Sequence, residues 1–528
     1  MPKTVVIVGG GPAGLFAARL IAQRHPEWPV TLYERSDPAH TFGFGVGLTG
    51  AALAAVDAVD PETAERMRAG SARVPTAEFR LPDRAVRIPG FHRGVAVSRS
   101  AMLAAMTDQA RQAGVDVVMA PAPDVEVLRR SADLLIAADG VSSAARETYR
   151  EAFGPELIEG RARYLWCGTD AVLEGTVFAP VWTAHGVFTA HAYPYGTDRS
   201  TLVIEAGDDA VARLLAGSPA PGPAADATDE YSLAFLTGAF ADLLGGRPLL
   251  GNRSQWFRFR TSRCARWADG NMVLLGDAAA NADPSLGSGT KLAAESAIAL
   301  ADALDADRPI EESLRAFEAQ RRPAVDRFQR WACRSQRWWD SFPARLSMDG
   351  DRLALAFMSR LRPVPLTTTG DLATIIVPAV AAWAGVSPGE LPDGDLTDWI
   401  THRPARIAGA GVGGRIVSQA DLAAAGVHVA RIDSATDDPW GPDADRVLAA
   451  ARTAIGDGAD AILLAGPPDS TEVLERMDVA ERIRLELGVA TGVAAPAAQN
   501  GAIACGLVAG RIDFACDTGF SRDRRPAR

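Results

Sequence analysis

Val5-Val6-Ile7-Val8 is a short apolar run that reads as a buried strand. A glycine-rich turn follows, then a helical pattern over Pro12–Arg24 and a second apolar run over Val30–Tyr33. Strand, helix and strand in that order predict a βαβ unit with parallel pairing. Another helix is predicted over Arg99–Gln112, and a hydrophobic strand over 133–138 runs into Asp139-Gly140. Between about 160 and 260 the pattern changes. Aromatic and β-branched residues dominate, with period-two alternation over 187–193 and 201–205, which predicts an antiparallel sheet. The run 272–275 returns to the earlier style, and 291–355 is helical in pattern, with an arginine-rich stretch.

Proline and glycine cluster at 387–394, which predicts a boundary. Beyond it, strands are predicted at 428–432, 461–464, 489–493 and 512–515. Helices at 444–455, 473–487 and 499–508 separate them, so the strands should pair in parallel. The last eight residues carry four arginines and are expected to fray.

Composition narrows the class. With 528 residues, 48% of them hydrophobic, the chain can bury large cores. A net charge of −11 argues against nucleic acid or an anionic membrane as the main partner. No apolar run reaches the roughly 18 residues of a membrane span. The first strand begins too early for a signal peptide, so a cytoplasmic protein is expected. The five cysteines (Cys167, Cys264, Cys333, Cys505, Cys516) are scattered and form no CxxC pair. They read as reduced thiols, and with seven dispersed histidines no metal site is expected.

Three motifs carry the chemistry. The first is Gly9-Gly10-Gly11-Pro12-Ala13-Gly14, set between a strand and a helix, with Glu34 closing the next strand. Glycines there let backbone N–H groups approach a pyrophosphate at a helix N-terminus, and Glu34 can accept from a ribose diol. This motif alone leaves NAD and FAD both open. The second is Gly276-Asp277-Ala278-Ala279, continuing to Pro284-Ser285-Leu286-Gly287-Ser288-Gly289-Thr290-Lys291. Asp277 can face a ribityl hydroxyl, and the amides of the following loop can stabilise charge at the O2/N1 edge of a flavin. The third is Asp139-Gly140, placed to bear on the pyrophosphate region, with Arg99 as a phosphate partner or a solvated arginine at a helix end.

Together these motifs resemble the group A flavoprotein monooxygenases over about residues 1–385. The family usually has histidine after Gly-Asp-Ala-Ala, where this chain has Ala280. The run Gly43-Phe44-Gly45-Val46-Gly47-Leu48 is similar to the family's loop flanking the isoalloxazine. The resemblance implies an α/β fold: a Rossmann-type FAD-binding domain (1–160 and 256–385) with C-terminal helices and an inserted antiparallel-sheet substrate domain (161–255). The FAD residues expected from motif and resemblance are Gly9, Gly11, Pro12, Ala13, Gly14, Glu34, Arg35, Gly45, Val46, Arg99, Asp139, Gly140, Asp277, Pro284, Gly287, Ser288, Gly289 and Thr290.

A narrower resemblance lies in Tyr164-Leu165-Trp166-Cys167-Gly168-Thr169, His185-Gly186-Val187-Phe188 and His191-Ala192-Tyr193-Pro194-Tyr195. These are similar to the substrate domain of the salicylyl-CoA 5-hydroxylase and 2-aminobenzoyl-CoA monooxygenase group. This implies hydroxylation of an aromatic substrate through a C4a-hydroperoxyflavin, with O2 and NADH or NADPH. The substrate is expected as a CoA or carrier-protein thioester, with a free aromatic or indole intermediate as the alternative. His191 and Tyr193 are the catalytic candidates, and Trp166, Gly168 and Glu205 the substrate candidates. A packing role competes for each. A homodimer is a further expectation.

Residues 396–528 resemble the last βα units of old yellow enzyme barrels, through Arg431-Ile432-Asp433-Ser434, Gly458-Ala459-Asp460-Ala461-Ile462 and Gly510-Arg511-Ile512-Asp513. About 130 residues cannot make a barrel of about 250. The segment is therefore expected to be a TIM-barrel remnant without FMN. Competing functions are a halogenase, a flavin reductase or oxidase, and a non-catalytic flavin-binding protein. No two tryptophans stand two apart, as the halogenase motif requires.

Overall fold

The computed structural model describes residues 2–37, 41–89, 94–219, 222–224, 226–287, 289–305, 307–436 and 438–517. Ser288, Asp437 and the 518–528 tail lie outside them. The chain divides into two compact units, Met1–Ala85 with Phe91–Gln336, and Val86–Gly90 with Arg337–Arg528. Among the described residues no helix is long and apolar enough to cross a membrane.

The first unit is built on a sheet whose parallel strands run in the order Met272–Leu274, Leu134–Ala137, Val5–Val8, Val30–Tyr33, Asp116–Val118. Val5 pairs with Val30 on one side and Leu134 on the other. Covered on both faces, such strands read as continuous apolar runs, and Leu134, Leu135 and Ile136 are fully buried. Helix Pro12–Arg24 packs on this sheet, and helix Gly289–Ala303 packs on that helix.

A second sheet in this unit joins Pro155–Thr169, Ser200–Gly207, Gly186–Pro194 and Thr176–Thr183 as antiparallel neighbours. Phe257–Cys264 also pairs with Pro155–Thr169. Alternation divides its residues between two faces. Leu165, Cys167, Leu202, Ile204, Phe188, Ala190 and Ala192 form the back face and a buried core with helices Asp208–Ala216 and Glu230–Ala239. The register puts Trp166 opposite Val203, Val203 opposite His191, and Tyr193 opposite Thr201, all on the front face.

The second unit carries four parallel strands in sequence order, Val429–Asp433, Ala461–Ala465, Ala490–Ala495 and Phe514–Asp517. Helices Pro442–Gly456, Ser470–Leu487 and Asn500–Val508 connect them. The last strand starts two residues later than the pattern predicts. Asp513 is spent before it, its carboxylate accepting from Arg484 Nε at 2.7 Å and from the Thr491 N–H at 3.0 Å. Trp338 and Trp339 are buried against Phe342 and Phe357 in the same unit, a packing role. The Pro- and Gly-rich stretch at 387–394 lies inside this unit.

Candidate functional site

The turn after the first strand is shaped by its glycines. Gly9 has φ 108, and a Cβ there would meet the Ala138 carbonyl oxygen at 2.3 Å. A Cβ on Gly14 would sit 2.0 Å from the Gly9 carbonyl oxygen. These two positions permit close packing of the turn and helix. Gly11 differs: a Cβ there would touch nothing within 4 Å, so its backbone borders open space. Helix Pro12–Arg24 starts with Pro12 and has no side-chain cap, leaving its first amides free to favour an anion. Glu34 spans the turn from the next strand, accepting from the Gly10 N–H at 2.6 Å and the Ser36 N–H at 2.8 Å. Arg35 beside it is exposed.

The other two motifs arrive at the same sheet edge. Ala13 lies against Gly276, whose φ of 61 holds the Gly-Asp turn open. Asp139 Oδ2 accepts from the Ala145 N–H at 3.1 Å, while its Oδ1 is buried with no partner, an acceptor suited to a hydroxyl or water. Gly140 has φ 83 and borders open space. Pro284–Leu286 is a single turn of 3-10 helix closed by Gly287 at φ 62, and the helix beginning at Gly289 includes Thr290. Gly287 and Gly289 also border open space. Asp277 is exposed at the Gly-Asp turn, yet the protein around its carboxyl displaces much of the water near it. That enclosure raises its pKa above the usual carboxylate value, against the opposing pull of Arg99. Arg99 is enclosed in the same way, and burial loosens its proton.

The segment 41–46 lies between these motifs and the front face of the second sheet. The Arg99 backbone N–H donates to the Phe44 carbonyl at 2.8 Å. Gly45 and Val46 begin the strand Gly45–Thr49. Tyr193 Oη donates to the Gly45 carbonyl at 3.1 Å. Burial pushes the Tyr193 phenol up to about 12. The Trp166 ring packs on Gly43, and Phe44 packs on Gly168. Trp166 Nε1 donates to Thr201 Oγ1 at 2.7 Å. Farther along the same face, His191 Nε2 lies 3.1 Å from Glu205 Oε2.

Several positions at this site are not marked by any sequence motif. Arg146, 2% exposed, donates to the Val141 carbonyl at 2.7 Å and the Ala278 carbonyl at 3.1 Å, tying the Asp139 turn to the Asp277 turn. Asn281 Oδ1 accepts from the Ser262 N–H at 2.6 Å, and Gln329 Nε2 donates to both Ser262 and Asn281 carbonyls. Asn252 Nδ2 donates to the Thr41 and Gly43 carbonyls. An arginine near a helix start or an asparagine in a turn reads as solvated, so only contact over long sequence separation exposes these roles. Ala280, where the family usually has histidine, is buried in the core.

The open space beside Gly11, Gly140, Gly287 and Gly289, the uncapped helix start and the unpartnered Asp139 oxygen fit a dinucleotide flavin. Comparison with known proteins agrees. Residues 92–332 match the FAD binding domain family. The salicyloyl-CoA 5-hydroxylase of Streptomyces sp is 36% identical over 367 residues, 68% of this chain and 70% of that protein. The 3-hydroxy-4-methyl-anthranilyl-[aryl-carrier protein] 5-monooxygenase of Streptosporangium sibiricum is 34% identical, over 64% of this chain and 90% of that one. In fold, the chain is similar to the tetrameric form of 2-methyl-3-hydroxypyridine-5-carboxylic acid oxygenase, with a TM-score of 0.53 at 21% identity, over 69% of this chain and 96% of that one. With its nucleotide turn, its Gly-Asp turn and its aromatic sheet face in one unit, this chain belongs to the FAD-dependent aromatic monooxygenases.

Proposed function

We propose that the protein hydroxylates an aromatic ring presented as a thioester of coenzyme A or of a carrier protein, using FAD, dioxygen and NADH or NADPH. The observation that carries this reading is the meeting of segment 41–46 with the front face of the sheet, at Tyr193–Gly45, Trp166–Gly43 and Gly168–Phe44. A loop suited to flank a flavin ring and an aromatic, polar sheet face thus share contacts. The thioester is supported by two relatives whose names specify a CoA and a carrier-protein substrate.

Gly9, Gly11, Pro12, Ala13, Gly14, Asp139 and Gly140 would hold the pyrophosphate side of FAD, with Glu34 and Arg35 at the ribose. Asp277 would hold the ribityl chain, and Arg99, whose charge acts on Asp277, would pair with the nearby phosphate. Gly45, Val46, Pro284, Gly287, Ser288, Gly289 and Thr290 would border the ring. Bound and reduced, FAD supplies the activation of dioxygen, and the protein orients the partners and excludes water. Tyr193 keeps its proton at neutral pH and acts as a donor. His191, beside Glu205, would accept a proton from a ring hydroxyl or amine and so raise the ring's nucleophilicity. Trp166 and Gly168 would line the ring's resting place. We read 396–528 as an old-yellow-enzyme-like remnant without FMN, a reading supported by its four consecutive parallel strands.

The test is a screen of NADH and NADPH consumption by the FAD-loaded protein. Salicylyl and anthranilyl thioesters of CoA and of a carrier protein are compared with the free acids, under labelled dioxygen. One labelled oxygen in a thioester product is expected. Reductant consumption that yields only peroxide across the panel would refute hydroxylation.

A further inference from the structure

Segment 41–46 is held from two sides. On one, Arg99 donates through its backbone N–H to Phe44 and through Nε to Thr41 Oγ1 at 3.2 Å. On the other, Tyr193 Oη donates to the Gly45 carbonyl, and Asn252 Nδ2 donates to the Thr41 and Gly43 carbonyls, each at 2.9 Å, across more than two hundred residues of sequence. The Asn252 backbone N–H donates to Ser254 Oγ at 3.1 Å, and the Ser254 hydroxyl donates to the Trp166 carbonyl at 2.5 Å. The Trp166 ring closes the circuit, lying so near Gly43 that a Cβ there would sit 2.3 Å from it. Thr201 holds the indole from the far side.

The turn that carries Asn252 is itself strained. Arg253 has φ 54, one of two non-glycine residues with positive φ among the described residues. Such a backbone persists where its surroundings over-determine it, and such strain gathers at functional sites. Lying between Asn252 and Ser254, it directs their two side chains at three carbonyls, those of Thr41, Gly43 and Trp166.

We propose that Asn252 is a positioning residue that sets segment 41–46 at the edge of the flavin ring and, through Ser254, couples that setting to the Trp166 face where an aromatic substrate would rest. The inference rests on the flavin reading above. A primary amide suits the task because one nitrogen brings two donors. An aspartate of the same shape would turn lone pairs toward both carbonyls, and an alanine would leave a gap. A donor role therefore predicts that Asp is worse than Ala, whereas simple packing predicts the reverse.

The experiment uses the purified full chain of wild type, Asn252→Asp and Asn252→Ala. Amide hydrogen exchange is followed in peptides covering 41–46, FAD affinity by fluorescence titration, and the visible circular dichroism of bound FAD at saturation. Two lost hydrogen bonds should weaken FAD binding about tenfold. Exchange should rise in 41–46, the flavin dichroism should change, and the aspartate variant should be the more affected. Ser254→Ala, which keeps both Asn252 bonds to the loop, should alter the dichroism while leaving affinity within about threefold. Wild-type exchange, affinity and dichroism in both Asn252 variants would overturn the proposal. So would an alanine variant worse than the aspartate, or exchange rising equally in every peptide. Should Asn252→Asp not fold, Ser254→Ala decides by its dichroism alone. A wild-type chain that takes up no FAD would instead sink the flavin reading.

Discussion

Two parallel sheets, one in each unit, end in glycine-bearing turns, yet different things lie beyond them. At the carboxyl ends of Val5–Val8 and Leu134–Ala137, Gly11 and Gly140 border open space, and an aspartate oxygen is left without a partner. Beyond Ala461–Ala465, the turn at Gly466 is filled. A Cβ there would lie 2.7 Å from the Ser434 carbonyl oxygen and 2.8 Å from Arg476 Nη1. Arg476 is 1% exposed, and its Nη2 donates to the Ala494 carbonyl at 3.0 Å. Parallel topology offers an edge where ligands can bind. Whether that edge is a site depends on which side chains are withheld from it.

The contrast can be broken most forcefully at Gly14. Gly14→Val would drive a side chain into the Gly9 carbonyl, so we expect loss of FAD from the purified protein and a stability loss of about 3 kcal/mol, read by flavin absorbance and a urea melt. Retained colour and stability would show that the turn is far more pliant than described.

A paired substitution sharpens the comparison. Gly11→Ala should leave the apoprotein melt within about 0.5 kcal/mol of wild type, because its Cβ meets nothing, while weakening FAD binding by intruding on the space for the pyrophosphate. Gly466→Ala should do the opposite, lowering stability by about 1–3 kcal/mol with FAD affinity unchanged. If both lower FAD affinity alike, the two edges do not differ as argued.

Arg476→Met tests the plug more gently. Burial disfavours the charged form of Arg476, and two of its nitrogens have no hydrogen-bond partner. Stability should therefore hold or rise by about 1–2 kcal/mol, and a marked fall in the urea midpoint would mean that the guanidinium is better satisfied than its contacts indicate. The smallest effect belongs to pH. Enclosure raises the Asp277 pKa above its unfolded value, so its ionisation opposes folding. That penalty is absent at low pH and grows as pH rises through the carboxylate range. Asn at 277 should thus gain on wild type as pH rises above about 4, in apoprotein melts, and a constant difference would contradict the raised value.

Much of the candidate site's geometry was legible because a glycine turn, an acidic strand end and a Gly-Asp turn have few physical uses in that order. The period-two alternation over 187–193 and 201–205 announced a two-faced sheet, but it could not say which face was core. Cys167, Phe188 and Leu202 go to the helices, and Trp166, His191 and Tyr193 go the other way, because helices Asp208–Ala216 and Glu230–Ala239 cover one side. Sequence alone left Trp338-Trp339 without a fixed place, and their ring contacts make them core. Arg146 and Asn252 carried no signal, since their partners lie far away along the chain.

Local chemistry belonged to the sequence alone: where glycine frees the backbone, where a carboxylate closes a strand, and where apolar residues recur with period two or in short runs. Those are properties of neighbours a few bonds apart, so reading order suffices to find them. The tertiary structure decided which turns stay open and which are plugged, which sheet face meets the loop, and that one asparagine grips that loop from 209 residues away. Such choices depend on which distant surfaces exclude water together, and no local pattern encodes that.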